Sequence, residues 1–586
     1  FALKEFREHQ LKAINAVLSK HDVILVAPTG GGKSLCYQLP ALITDGLTLV
    51  VSPLISLMED QMWQMKKLRV PVALLTSTTV KECLQTILKQ LSNPGDKLAF
   101  KLLYVTPERL AKSKRFMSAL QKCYFAKKLD RIAIDEVHCC SQWGHDFRPD
   151  YKFLGSMKTT FPDVPILGVT ATATEKVIMD VQKMLNIRDC LVLKAPFNRP
   201  NLYYQVMEKP SEKKALVELI GNLLRRRYAD KSGIIYTYSQ RDAEDLAQSL
   251  ILHDCKVSPY HANLDADVRT KVHENWISGQ IQAVIATVAF GMGIDKPNVR
   301  FVIHHTMSKS MENFYQETGR AGRDGEYAEC LLLYRFADAF RITTMMFAEQ
   351  TGLQNAYNML QYCVSTQCRR DVIAQHFAEV WRESDCGRMC DRCRFRKRLQ
   401  PPKMNITRHI GDLLEILNKA HAMDVKLTAA KLVDAWYQRG PTYIRVTNQE
   451  APHFDRTYAE QIIAHLILEE YLKEDFHYTA YSTNSYIRPG PRQHTNDTLV
   501  EINRARFVDL PEDFPPRDDS DDDIVVVSTE QKSPEKRVKA TTSTSPMKRR
   551  RRKVSKDMEI SSDASDDVTF VEEMPFVDLD DDIFNK

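Results

Sequence analysis

Residues Val23-Ile24-Leu25-Val26 form an unbroken apolar run, and the chain leaves it through Ala27-Pro28-Thr29-Gly30-Gly31-Gly32-Lys33-Ser34. A buried strand that breaks into a glycine-rich loop ending in Lys-Ser suits few architectures: it is the phosphate-binding turn of a parallel α/β sheet. Gly30, Gly31 and Gly32 let backbone N–H groups close around an anion where a Cβ would block the approach, with Thr29 at the mouth. At this spacing Lys33 reaches the β- and γ-phosphates of a nucleoside triphosphate, and the Ser34 hydroxyl can ligate Mg²⁺. A chance glycine-rich turn would not explain the acidic pair Asp135-Glu136, which ends a second apolar run downstream. Asp135 is placed to organise Mg²⁺ and Glu136 to activate water.

A chain of 586 residues implies several domains, and 43% hydrophobic residues suffice for real cores. The net charge of +5 fits nucleic-acid binding without requiring it. With no apolar run of about 18 residues, a membrane-spanning role is excluded. No signal peptide is visible, and the chain begins at Phe1, which leaves room for a segment ahead of it. The 13 cysteines are scattered apart from a group between Cys363 and Cys393. An ATP-binding enzyme works inside the cell, so this group reads as a metal site before it reads as disulfides.

Apolar runs at 23–27, 48–52, 101–105, 131–135 and 166–170 predict one parallel sheet, and runs at 233–238, 257–260, 283–287, 300–304 and 329–334 predict a second. The expected fold class is α/β, two tandem parallel-sheet lobes over 1–196 and 197–345. A helical zinc-binding subdomain is expected at 346–402, closed by Pro401-Pro402. A helical domain with a terminal hairpin follows over 403–490. Beyond Pro489-Gly490-Pro491 the composition shifts to Asp, Ser, Lys and Pro, which predicts a disordered tail over 491–586.

The second lobe carries Gln316-Glu317-Thr318-Gly319-Arg320-Ala321-Gly322-Arg323, and Thr170-Ala171-Thr172 ends a strand of the first. Phosphoryl transfer is mostly positioning and charge neutralisation, so arginines reaching the γ-phosphate from the opposite lobe would couple hydrolysis to cleft closure. Gln316, Arg320 and Arg323 are therefore expected in the catalytic set with Lys33, Asp135 and Glu136. These motifs resemble those of superfamily-two helicases. Ser141-Gln142-Trp143-Gly144-His145-Asp146-Phe147-Arg148-Pro149-Asp150 narrows the likeness to RecQ-family DNA helicases, as do Phe290-Gly291-Met292-Gly293-Ile294-Asp295-Lys296-Pro297 and 316–325. Val137, where most RecQ members carry Ala, and Cys139-Cys140 resemble the RecQ-like branch.

The resemblance covers roughly 1–490 and implies two RecA-like lobes and ATP-driven unwinding with 3′-to-5′ polarity. By position, Gln10 would read adenine with support from Arg7. Trp143, Phe147 and Arg148 would sense single-stranded DNA. Their chemistry agrees: Trp and Phe offer stacking faces worth about 1–3 kcal/mol per base, and Arg148 can pair a phosphate. The bland alternative, a Trp-Phe pair in a core, fits poorly with the Ser, Gln, Gly, His and Asp around it.

Cys386-x₃-Cys390-x₂-Cys393 supplies three thiolates for a tetrahedral Zn²⁺ site, with Cys363 and Cys368 as rivals for the fourth place. The RecQ pattern, with a ligand just before Arg-Arg, favours Cys368. The resemblance also implies that 403–490 is a winged helix binding duplex DNA, with Tyr481 near the hairpin tip as a strand-separating aromatic. Phe476, Tyr478 and Tyr486 are expected to pack on that domain's own core.

In the tail, Lys548-Arg549-Arg550-Arg551-Arg552-Lys553 reads as a nuclear-import signal or a DNA-binding arm. Ile524-Val525-Val526-Val527 after Asp521-Asp522-Asp523 resembles a segment that adds a strand to a SUMO-type modifier. Phe576-Val577-Asp578-Leu579 is a weaker version, and Ser533-Pro534 and Ser545-Pro546 resemble proline-directed kinase sites.

Together the sequence predicts a nuclear ATP- and Mg²⁺-dependent DNA helicase with a zinc platform, acting on single-stranded, forked and branched DNA in genome maintenance, with self-association open. The rivals are a DNA-structure binder or strand annealer switched by ATP, and an RNA helicase.

Overall fold

The structure, a computed structural model, describes residues 5–77, 79–95, 98–143, 147–288, 290, 296–396, 403–445, 451–478, 482–494, 500–503 and 507. These fall in one compact unit, Phe1–Pro516.

β1 (Val23–Val26) is buried at every residue, as a strand flanked on both sides and covered on both faces must be. It belongs to a seven-stranded sheet with β2 (Leu47–Val51), β3 (Val72–Leu75), β4 (Leu102–Val105), β5 (Leu129–Asp135), β6 (Ile166–Thr170) and β7 (Leu191–Lys194), in the order β3-β4-β2-β5-β6-β1-β7. Every pairing is parallel. A second, six-stranded parallel sheet comprises β8 (Leu202–Glu208), β9 (Ser232–Tyr236), β10 (Val257–Tyr260), β11 (Ala283–Ala286), β12 (Val299–His304) and β13 (Ala328–Tyr334), in the order β10-β11-β9-β12-β13-β8. These are the two RecA-like lobes expected from the sequence.

Three strands of these two sheets escape the sequence pattern. β3 and β7 are four-residue edge strands with little full burial, so their apolar signal is weak. β8, Leu-Tyr-Tyr-Gln-Val-Met-Glu, is buried over its first six residues but interrupted by Tyr and Gln. Its outer edge is covered by the cysteine segment: Tyr204 bridges to Cys390, and the Tyr204 N–H donates to the Met389 carbonyl at 3.2 Å. A sheet edge that would otherwise invite pairing is thereby closed.

The helices Phe336–Met346, Gly352–Val364 and Arg369–His376 follow the second sheet. Arg369 and Asp391, 0% and 2% exposed at their side chains, form a two-pronged ion pair, Nε to Oδ1 at 2.9 Å and Nη2 to Oδ2 at 3.0 Å. Asp391 also accepts the Val206 N–H of β8 at 3.3 Å. One carboxylate thus joins the helical region to the second sheet.

Beyond β14 (Lys403–Asn405) come the helices Thr407–Ala422, Ala429–Trp436 and Arg456–Leu468, then an antiparallel hairpin of β15 (Leu472–Tyr478) and β16 (Thr483–Pro489). The expectation for its aromatics is corrected for Phe476 and Tyr478. Phe476 stacks on Phe347 of the preceding helical region at 4.5 Å, and Tyr478 is 73% exposed. Tyr486 is half-buried and meets His477 edge-on at 5.4 Å. The reason is strand alternation, which turns Glu474 and Phe476 toward helices 336–346 and 352–364. Glu474 accepts the Thr343 hydroxyl at 2.7 Å and that of Tyr357 at 3.0 Å.

The tail boundary at 491 is also corrected. β17 (Glu501–Asn503) returns to pair antiparallel with β14, Ile502 is buried, and Phe507 packs against Tyr334 at 5.9 Å. Residues 524–527, 548–553 and 576–579, and the Ser-Pro pairs at 533 and 545, lie outside the described residues, as does Tyr481. Among the described residues no helix is long and apolar enough to cross a membrane.

Asp391→Ala leaves Arg369 buried without its carboxylate and should destabilise this junction by about 3–5 kcal/mol, read as an earlier urea unfolding transition. Replacing both by Met and Leu should recover most of the loss. An unchanged transition in the single variant would show that the pair holds nothing together.

Candidate functional site

The parallel topology ends β1, β5 and β6 side by side at one edge of the first sheet, where open sheets of this kind bind ligands. A cleft of about 450 Å³ opens there, lined by Arg7, Gln10, Thr29, Gly30, Gly32, Lys33, Ser34, Asp135 and Glu136 of the first lobe and by Gln316, Arg320 and Arg323 of the second. The volume lies within the usual range for small-molecule sites. Gly31 belongs to the same loop, and a Cβ there would meet the Pro28 carbonyl at 2.8 Å.

Gly30 and Gly32 take φ of +79° and +74°, a region in which a side chain is strained. A Cβ on Gly32 would lie 2.4 Å from the Gln10 amide nitrogen. That amide donates to the Gly32 carbonyl at 2.9 Å, while its oxygen accepts the Arg7 N–H at 2.7 Å. The Lys33 ammonium donates to the carbonyls of Ala27 and Pro28 at 3.0 and 3.3 Å. Burial holds its pKa below that of an ordinary lysine, against the pull of nearby Glu136 and Asp135.

Asp135 is 6% exposed, and its carboxyl is pushed up to about 7 by burial and then by the Glu136 charge. Two carboxylates so placed would favour a cation beside them. The oxygen donors of Ser34 and Asp135, which line the same cleft, suit the hard ion Mg²⁺. Glu136 sits at φ 50°, in the left-handed region, a conformation that persists where its surroundings enforce it. The Asp135 carbonyl accepts the Tyr151 hydroxyl at 3.0 Å, and Val137 fits because Gly168 of β6 has no Cβ: one there would lie 3.0 Å from the Val137 methyl.

From Glu136 a polar chain crosses to the second lobe. His138 Nδ1 lies 3.3 Å from Glu136 Oε2 and 2.8 Å from Thr170 Oγ1. Thr170 Oγ1 accepts the Thr172 N–H at 3.2 Å, and the Gln316 amide donates to Thr172 Oγ1 at 3.3 Å.

Of the aromatic-rich loop, Trp143 is 40% exposed with the Lys176 ammonium 3.1 Å from its ring centroid. Phe147 is half-buried, with Lys152 at 5.5 Å. Arg148 donates to the Pro53 carbonyl at 3.2 Å. The loop's root is pinned by Ser141, which donates to Asp180 at 2.6 Å and accepts the Trp143 N–H at 3.1 Å. Residues 144–146 and 291–295 lie outside the described residues.

Cys368, Cys386, Cys390 and Cys393 bring their sulfurs within 4.8 Å of one another. The Cys390 sulfur lies 3.8 Å from that of Cys368 and 3.7 Å from that of Cys386. A tetrahedron with Zn–S bonds of about 2.3 Å has edges of about 3.8 Å, so the donor set fits Zn²⁺. Cys363 lies buried within its helix, outside the cluster. Sequence reasoning missed Arg199, which joins the two lobes, because a lone arginine in a linker carries no pattern of its own.

Residues 7–181 match the DEAD/DEAH box helicase family, 212–325 the helicase conserved C-terminal domain and 336–394 the RecQ zinc-binding domain. The chain is 52% identical over 493 residues to the ATP-dependent DNA helicase Q1 of Rattus norvegicus, covering 84% of this chain and 79% of the relative. It is 47% identical over 501 residues to a putative ATP-dependent DNA helicase Q1 of Caenorhabditis elegans, covering 84% and 78%. With the ATP-dependent DNA helicase Q-like 2 of Arabidopsis thaliana the identity is 44% over 493 residues, covering 84% and 68%.

Purified protein should carry about one Zn²⁺ per chain, as one four-thiolate site requires. Cys390→Ser should lose the metal and lower the melting temperature, because binding free energy is here also folding free energy. Metal analysis without chelators that finds no zinc in the parent protein would reject the assignment.

Proposed function

This chain belongs to the RecQ family of ATP-dependent DNA helicases, and on that premise we propose that it moves 3′ to 5′ along one DNA strand and splits forked and branched duplexes in nuclear genome maintenance. The observation that carries the reading is the cleft itself, in which Lys33, Asp135 and Glu136 of one lobe share walls with Gln316, Arg320 and Arg323 of the other.

In this reading 29–34 bind the triphosphate through backbone N–H groups, and Gln10 with Arg7 meets the adenine. Lys33 turns from its loop carbonyls to the β- and γ-phosphates. Ser34 and Asp135 would hold Mg²⁺, which neutralises phosphate charge when bound. Glu136 orients the attacking water and takes its proton, and His138 fixes the carboxylate from behind. Arg320 and Arg323 stabilise the charge that develops on the transferred group. Because they sit on the second lobe, closure precedes hydrolysis and product release lets the lobes part.

Bases of the tracked strand stack on Trp143 and Phe147 while Arg148 pairs the backbone. Residues 403–490 serve as a winged helix against the duplex, with Tyr481 meeting the last base pair. Self-association and capture of a SUMO-type modifier by 524–527 belong to the same proposal.

Lys33→Ala should cut DNA-stimulated ATP hydrolysis by at least about 100-fold and abolish unwinding, while single-stranded DNA still binds. Forks with a 3′ tail should be unwound and those with a 5′ tail should not. Near-normal turnover in the variant would end the motor reading. Duplex opening or annealing that persists without ATP would favour a binder, and equal unwinding of matched RNA would favour an RNA helicase.

A further inference from the structure

Residues 195–201 run from β7 to β8 and so connect the lobes. From this linker Arg199 inserts its guanidinium between the phosphate-binding loop and the turn that carries Arg320 and Arg323. Its Nη1 donates to the carbonyls of Thr29 and Gly319 at 3.0 and 3.3 Å. Its Nη2 donates to those of Ala321 and Gly322 at 3.1 and 2.8 Å. Carbonyls beyond the carboxyl end of the helix Met311–Thr318 make a negative pole that favours a cation. The planar fork of arginine suits four acceptors spread around it.

The two segments it joins are in direct contact. A Cβ on Gly319 would lie 2.9 Å from that of Thr29, and one on Gly30 would lie 3.3 Å from Arg323 Cγ. Asn201 secures the far side of the turn, donating to the carbonyls of Gly322 and Glu326, each at 2.8 Å.

Arg199 is itself rooted. The Phe197 N–H donates to Glu379 at 3.0 Å, and its carbonyl accepts the Tyr315 hydroxyl at 2.8 Å. The Phe197 ring stacks on Phe377 at 4.1 Å. Arg370, two residues after the zinc ligand Cys368, bonds the side chain of Asn198 and donates to the Pro200 carbonyl at 3.3 Å. The linker is thus a braced strut held from the helical region.

We propose that Arg199 is a positioning residue for hydrolysis: it sets the distance between the phosphate-binding loop and the arginine-bearing turn, so that closure delivers Arg323 to the γ-phosphate. The inference rests on the assignment of Arg323 under Proposed function. Arg199 touches neither phosphate nor water in this scheme. Its loss therefore acts on turnover and spares ground-state binding, which the first lobe supplies.

The test compares Arg199→Ala, Arg199→Lys, Arg323→Ala and the double alanine variant. Turnover is measured at saturating ATP and single-stranded DNA, and affinity with a non-hydrolysable ATP analogue. Arg199→Ala should lower kcat by about 100-fold, as an ångström of misplacement does, with analogue affinity unchanged. Lysine should recover little, since an ammonium cannot fork to four carbonyls. If Arg199 acts through Arg323, the double variant is no slower than Arg323→Ala alone.

Wild-type turnover in Arg199→Ala, losses that multiply in the double variant, or affinity falling in step with kcat would each overturn the inference. If the alanine variant does not fold, as shown by melting temperature and zinc content, Arg199→Lys carries the same kcat and affinity criteria. Normal turnover in Arg323→Ala would instead strike the assignment beneath it, and is read separately from the Arg199 results.

Discussion

Every strand of a parallel sheet ends on the same edge, and the rest of this molecule depends on that constraint. Because β5, β6 and β1 are neighbours, the acidic pair, the Thr170–Thr172 turn and the phosphate-binding loop are forced side by side. In the second lobe the helix Met311–Thr318 leads back from the end of β12, so the turn bearing Arg320 and Arg323 lies at the opposite edge, where strands begin: its Gly322 N–H donates to the carbonyl of Val299, the first residue of β12. The carboxyl edge of one sheet thus faces the amino edge of the other, and the cleft between them has walls from different bodies. Chemistry in such a cleft responds to the separation of the lobes.

What was legible in the sequence was local. The loop 27–34, Asp135-Glu136 and the run 316–323 each keep their working residues within one turn, so spacing alone reports them. The cysteine cluster was legible for three of its sulfurs. The choice of Cys368 over Cys363 needed the resemblance, and in space it is the Cys368 sulfur that joins the other three. The illegible parts are those in which a residue's partner lies far along the chain. β8 hides behind Tyr203, Tyr204 and Gln205, which are buried only because other segments cover them. Phe476 looked like a residue of its own domain, yet its partner Phe347 lies in the helical region before it.

The helical region after the second lobe is bound to its surroundings through consecutive residues. Cys368 belongs to the sulfur cluster, Arg369 takes Asp391 in a two-pronged pair, and Arg370 grips the linker at Asn198 and Pro200. Misplacing the start of the helix Arg369–His376 would disturb all three at once. The cluster therefore supports the floor on which the linker stands, and four thiolates leave no coordination position for a substrate.

The pairing of β14 with β17 sets Lys403 opposite Asn503. What lies between them, which among the described residues includes three α-helices and a hairpin, is an excursion whose two ends meet. A segment closed at its neck in this way can be traded, lengthened or dropped without re-routing the chain on either side. The neck is a short two-stranded ribbon, and Glu474 and Phe476 hold the excursion a second time, against helices 336–346 and 352–364 and Phe347, so its attitude is set at two places. A change in the length or order of the excursion is therefore confined to its own body as long as the neck and this second contact both survive, and the two parallel sheets are not asked to change.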